Sequence, residues 1–224
     1  MIQLPDFQRA FDYENNFYLS AHPSRFAKFL AHADLFRKIQ HLKGAVVECG
    51  VFKGTSLIGL ATLRHLLDQN AARPIIGFDT FDLFPETQFE ADQAKRQGFI
   101  DEAGDQSIGV DQLHQVLRHK GIDQNIALVA GDILHTLPAW CSANPDQMIA
   151  LINLDTDIYE PAQIILEYLW PRLEPGGILL LDDYGVFPGE TQAADEFFGP
   201  LGLTIASLPY RETPRYVVKP HTDS

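Results

Sequence analysis

Short apolar runs alternate with segments of helical period along this chain. Near-continuous apolar blocks at 45 to 49 (AVVEC), 74 to 79 (PIIGFD), 126 to 130 (IALVA), 148 to 155 (MIALINLD) and 177 to 183 (GILLLDD) predict strands buried on both faces. Two weaker runs, LTIASL and RYVVK, predict strands that close the chain. Helical spacing predicts helices over about 55 to 68, 110 to 119, 161 to 172 and 190 to 198, with Pro161 suited to a first turn. Another, near 24 to 41, carries Phe26, Phe29, Leu30, Leu35 and Ile39 and precedes the first strand. This order implies an α/β fold, a mostly parallel sheet with helices on both faces. Residues 80 to 109 are polar and show no clear period, which predicts a lid or substrate loop rather than idle linker.

In such sheets ligands bind beyond the carboxyl ends of the strands, where the strand order reverses. The chain places its unusual residues there. The first strand ends in VECGVFKGTS: Glu48, then Gly50 for a tight turn or close approach, then Gly54, with Thr55 or Ser56 placed to cap the next helix. The second strand ends in Asp79, where a carboxylate can accept hydrogen bonds from both ribose hydroxyls. The glycines are spaced GxxxG and lack the GxGxxG phosphate fingerprint, which weakens a dinucleotide cofactor. Two later strands end in acids, Asp155 and Asp157 in one and Asp182 and Asp183 in the other. Acids at strand ends are often caps or solvated turn residues, so any one of them alone carries little.

With 224 residues, one domain over 1 to 224 is expected, with 1 to 43 as an N-terminal helical cap. The formal charge of -13 argues against nucleic acid and anionic membrane surfaces as partners. No apolar run approaches a membrane span and the first residues lack a signal-peptide pattern, so a cytoplasmic protein is expected. Cys49 and Cys141 lack metal or disulfide spacing, and Cys49, inside a strand pattern, is expected as a small core residue.

The blocks VVECGVFKGTS, GFDTFDLFPE, VAGDILHTLP, LINLDTDIYEPA and LEPGGILLLDDYGVFPG together resemble the macrocin O-methyltransferase family over roughly residues 40 to 200. This is a branch of the Rossmann-like class I S-adenosylmethionine-dependent methyltransferases. The resemblance implies a seven-stranded sheet with its last strand antiparallel, and a magnesium-requiring O-methyltransferase acting on a sugar or other small-molecule hydroxyl. It places Glu48, Gly50, Gly54 and Ser56, with Thr55 beside them, around the methionine part of S-adenosylmethionine. Asp79 would hold the ribose, and Gly131 and Asp132 would sit against the adenine. Ser20 and His22 are weaker candidates, from a segment that resembles one folding over the cofactor. Self-association into a homodimer or larger homo-oligomer is a further family expectation, with Phe7, Phe11, Phe17 and Tyr18 as contact residues. The chain departs from the family at Thr156, where a glycine is common, and at ETQAAD, 190 to 195, where a basic stretch is common.

In the implied strand order the fourth and fifth strands are neighbours, so Asp155, Asp182 and Asp183 converge as oxygen ligands for Mg2+. Asp155 is then the nearest general base, with His22 or His135 behind it. Asp157 is expected to cap the helix at Pro161, and Tyr159 and Tyr184 to wall the pocket. Two rivals are a nicotinamide-dependent oxidoreductase, which would also want Asp79 on a ribose, and a non-catalytic nucleoside-binding module.

Overall fold

The computed structural model describes residues 2–68 and 73–221. Seven strands are ordered β3-β2-β1-β4-β5-β7-β6. They are β1 (Ala45–Cys49), β2 (Ile75–Asp79), β3 (Ile126–Ala130), β4 (Ile149–Leu154), β5 (Leu173–Leu181), β6 (Ala206–Leu208) and β7 (Arg211–Val218). The first five are parallel, and β7 runs antiparallel to both β5 and β6. Strand order reverses between β1 and β4, the place such sheets keep for a ligand.

Alternation along the strands divides the core in two. Val46, Leu151, Ile178 and Leu180 face α2 (Pro23–Lys38), α3 (Thr55–Leu67) and α5 (Val110–Lys120). Val47, Cys49, Phe78, Leu154 and Leu181 face α6 (Ile133–Ala143), α7 (Tyr159–Leu169) and α8 (Pro188–Phe198). Cys49 and Cys141 are both buried core residues on this second side. Because side chains alternate, Glu48 and Asn153 project to the α2 side with their neighbours of like parity.

Two helices were not visible in the periodicity. One is α6, whose pattern is broken by Pro138 inside it. The other is α4 (Glu90–Ala103), which lies within the segment expected to be irregular. That segment has a neck, where Leu83 bridges Gln106 and the Phe84 and Ser107 amides donate to the Asp105 and Asp82 carbonyls. The N-terminal cap is helical too: α1 (Ala10–Ser20) buries none of its residues and leaves Phe11 and Leu19 74% and 86% exposed.

Candidate active site at the carboxyl edge of the sheet

A cavity of about 1130 Å³ opens above the tips of β1, β2, β4 and β5. Its wall includes Gly50, Val51, Ser56, Asp79 and Asp132 on one side and Asp155, Asp157, Asp182 and Asp183 on the other. The tips are stitched together, which fixes their heights. The Gly50 amide donates to the Phe78 carbonyl, Asp155 to Cys49 and Asp182 to Leu154.

Gly50 has φ +92°, and a Cβ there would lie 1.7 Å from the Asp155 carbonyl oxygen. The residue is therefore glycine because the β1 turn rests directly on the β4 tip. Asp79 organises the same turn: its Oδ2 accepts from the Val51 and Phe52 amides at 2.8 and 2.9 Å, and its Oδ1 from Phe81 at 2.7 Å. Thr55 and Ser56 both line the cavity but neither caps α3, whose N-cap is Gly54 in the left-handed region. The helix begins one residue too early for a hydroxyl at 55 or 56 to reach back over free amides. Asp132 does cap a helix, accepting from the Leu134 amide at 2.9 Å, while it also reaches the cavity wall. Glu48 is fully buried and neither carboxylate oxygen has a protein partner among the described residues. Burial, reinforced by Asp155, pushes its carboxyl well above the usual range.

The acids at the other end fall into two groups. Oxygens of Asp155, Asp157 and Asp183 lie within 4.8 Å of one another. Asp182 faces the other way and meets Lys28 Nζ at 2.6 Å, with His32 Nε2 at 3.9 Å from its second oxygen. Lys28 also reaches Asp155 at 3.5 Å. Burial opposes the charge on Lys28, yet Asp155 and Asp182 outweigh it and hold the ammonium protonated. Burial likewise opposes the Asp182 charge, but Lys28 and His32 hold that carboxyl well below the ordinary range. On the other side burial drives Asp183 up to about 9, helped by Asp157, and Asp157 up to about 7.

Asp157 is thus not a cap. Helix α7 starts at Tyr159 with Ile158 as its N-cap and no side-chain cap bond, and Asp157 itself has φ +65°, which turns its carboxylate toward Asp183. Other expected residues lie elsewhere. Tyr159 and Tyr184 do not wall the cavity; α8 draws them away, the hydroxyls donating to Glu196 and Asp195. His22 caps α2, Ser20 donates to the Asn16 carbonyl, and neither they nor His135 and Gly131 line the cavity. Missed by the sequence were Lys28 and His32, one turn apart on α2, and Glu190 on α8. Glu190 is fully buried, accepts the Asp183 amide at 2.9 Å and leaves its other oxygen without a partner.

Residues 25–204 match the family model of macrocin O-methyltransferase, TylF. The chain belongs to the macrocin O-methyltransferase family. Over 145 residues it is 30% identical to the 8-demethyl-8-(2,3-dimethoxy-alpha-L-rhamnosyl)-tetracenomycin-C 4'-O-methyltransferase of Streptomyces olivaceus, 64% of this chain and 54% of that protein. It is 25% identical to the mycinamicin III 3''-O-methyltransferase of Micromonospora griseorubida, covering 69% and 60%. The chain therefore spans little more than half the length of these curated relatives. The crystal structure of CalS11, a calicheamicin methyltransferase, superposes with a TM-score of 0.78 at 31% identity, over 91% of this chain and 83% of that one. The sheet is that of the class I methyltransferases, with the antiparallel seventh strand that the resemblance implied. No helix among the described residues is long and apolar enough to cross a membrane.

Proposed function

We propose that this macrocin O-methyltransferase family member transfers a methyl group from S-adenosylmethionine to a hydroxyl of a sugar or other small natural-product-like acceptor. The observation that carries this reading is the meeting, in one cavity, of the Asp79-braced glycine turn and the acids of the β4 and β5 tips. The residues fit a nucleoside sulfonium. Glu48, which does not itself line the cavity, holds a buried carboxylate without a protein partner next to the Gly50 turn, suited to an ammonium group, and Asp79 and Asp132 line the cavity for ribose and adenine. Gly50, Thr55 and Ser56 line the cavity, whereas Gly54 packs against Leu113 and shapes the turn from behind.

The acid loops fit a hard divalent ion, since Asp155, Asp157 and Asp183 bring only carboxylate oxygens to within 4.8 Å of one another. We assign Mg2+ to Asp155, Asp157 and Asp183; Asp182, expected as a third ligand, is instead engaged by Lys28 on the opposite side of the tips. A divalent ion bound there would lower the pKa of an acceptor hydroxyl and fix its direction. We assign the proton-accepting role to Asp155, whose side chain lines the cavity at the β4 tip. As the oxygen–carbon bond forms, the carbon–sulfur bond breaks and sulfur keeps the electron pair. Lys28 keeps Asp182 charged and in place.

Calorimetric titration of S-adenosylhomocysteine, with and without Mg2+, tests the reading. Binding by the full chain is expected, with acceptor methylation lost in chelator. Binding of NAD in its place, or cofactor binding without turnover across a hydroxyl library in Mg2+, would replace the reading with one of its rivals.

A further inference from the structure

Helix α4 is fastened to the rest of the molecule in an unusual way. Its only fully buried side chain is a carboxylate, Asp92. Asp92 Oδ1 accepts the Gly189 amide at 2.7 Å and Oδ2 the Tyr159 amide at 3.0 Å, so one residue of α4 holds the N-termini of both α7 and α8. These amides follow directly on the loops that carry Asp157 and Asp183. Gly189 must be glycine for the contact, because a Cβ there would lie 2.0 Å from Asp92 Oδ2. The bond is returned from α7. Glu160, in the first turn of α7, accepts from the Gln88 and Phe89 amides at 2.7 and 3.1 Å and from the Thr87 hydroxyl at 2.9 Å, where α4 begins.

The far end of α4 is held by the cofactor half. Lys53, between Gly50 and Gly54, donates from Nζ to the Ala103 carbonyl at 2.6 Å, placing a cation on the negative end of the helix. Phe99 lies between the two ends, with ring centroids 5.4 Å from Phe52 of the glycine turn and 6.4 Å from Phe187 of the acid-bearing loop. With 14 residues at ~1.5 Å each, α4 is about 21 Å long, and its two ends are fastened to different half-sites.

We propose that α4 is a two-ended latch: Asp92 and Glu160 fasten its start to the acid-bearing loops, Lys53 fastens its end to the glycine turn, and these positioning residues couple the two halves of the cavity. An element held by polar bonds and one aromatic ring, with no buried apolar side chain of its own, belongs to the low-stability end of a fold. Its docking is then set by whether both loops stand in place, and each half-site senses the other through it.

The inference rests on the proposed cofactor, and two readouts keep the claims separable. Hydrogen exchange on the full chain should show the Tyr159 and Gly189 amides exchanging about tenfold faster or more in Asp92→Asn, and the Gln88 and Phe89 amides in Glu160→Gln. Calorimetry with S-adenosylhomocysteine should show Asp92→Asn binding at least about 5-fold more weakly, although Asp92 sits at the opposite end from the glycine turn. Lys53→Met should weaken it similarly, and the double variant should bind little worse than either single one. Asp92→Asn and Glu160→Gln both binding within 2-fold of wild type, or Asp92→Asn and Lys53→Met multiplying in the double variant, would overturn the coupling. If Asp92→Asn fails to fold, Glu160→Gln decides alone. A wild-type chain that binds no S-adenosylhomocysteine would remove the cofactor reading, and unchanged exchange at the four amides in both variants would independently remove the latch.

Discussion

Replacing Asp79 by alanine separates two jobs that the structure gives to one carboxylate. The first is to hold the glycine turn, through three backbone amides on its two oxygens. Bonds to a charged acceptor contribute roughly 1.5–3 kcal/mol each, and because Asp79 is half-buried, water will replace part of that loss. A cost of about 4 kcal/mol follows, near the low end for three such bonds. For a domain of this size that lowers the melting temperature by roughly 8–16 °C. The second job, holding ribose hydroxyls, appears only in binding, where the loss of one or two charge-assisted hydrogen bonds weakens affinity by about 10- to 100-fold. Differential scanning calorimetry measures the first. Titration of S-adenosylhomocysteine at 10 °C, where the variant is still folded, measures the second. A melting temperature within 2 °C of wild type would show that the turn does not depend on Asp79. Unchanged affinity in a destabilised variant would take Asp79 away from the ribose and leave it a structural brace.

Three other perturbations address the rest of the molecule. In chelator the protein should lose stability as pH rises from 5 to 9. Asp157 and Asp183 are lifted to about 7 and about 9, so the folded chain keeps protons there that the unfolded chain has released; the stability is present below about pH 4 and is lost through those two values, at about 1.4 kcal/mol per pH unit per proton. Millimolar Mg2+ should flatten that fall in thermal melts, and the same slope with and without the ion would remove the divalent site. Gly50→Ala, with φ +92° and a carbonyl 1.7 Å from the new Cβ, should cost more than about 4 kcal/mol and give little soluble protein, and near-normal expression and melting would refute the packing account of that glycine. Arg64→Met should cost about 3 kcal/mol or more by orphaning the buried carbonyls of Arg73 and Ile122 and the half-buried one of Gln124, seen as a loss of at least roughly 6 °C in melting temperature. A smaller shift would mean that water takes over those carbonyls.

Four of the five parallel strands were legible because a strand covered on both faces needs an unbroken apolar run; β3, expected to be buried in the same way, lies at the edge of the sheet with none of its residues fully buried. The same logic hid α4. Pattern reading finds helices by the stripe they bury, and α4 buries a single carboxylate and docks through caps supplied by Glu160 and Lys53, residues 72 and 50 positions away from their partners. Helix α6 was obscured differently, by a proline that its position tolerates. At the site, the strand-end acids could be found because burial rules make carboxylates after apolar runs conspicuous. Their partners could not: Lys28 and His32 stand one turn apart on a helix, an ordinary spacing, and the aspartate that gives them meaning is 154 residues beyond Lys28.

The misassignment of Asp157 follows from a two-residue error in where α7 starts, and it alters the chemistry. A cap at 157 would have used the carboxylate on backbone amides and kept its pKa low. With Ile158 at the cap and left-handed backbone at 157, that carboxylate is delivered instead to Asp183, where burial raises both and Asp157 raises Asp183 further. The α2 side of the tips supplies its own cation in Lys28; the α8 side, with Asp157, Asp183 and the buried Glu190, is left with protons. A metal ion arriving at these tips therefore has charge to neutralise on one side only. That asymmetry predicts proton release on the α8 side when the ion binds, while the Lys28–Asp182 pair stays closed.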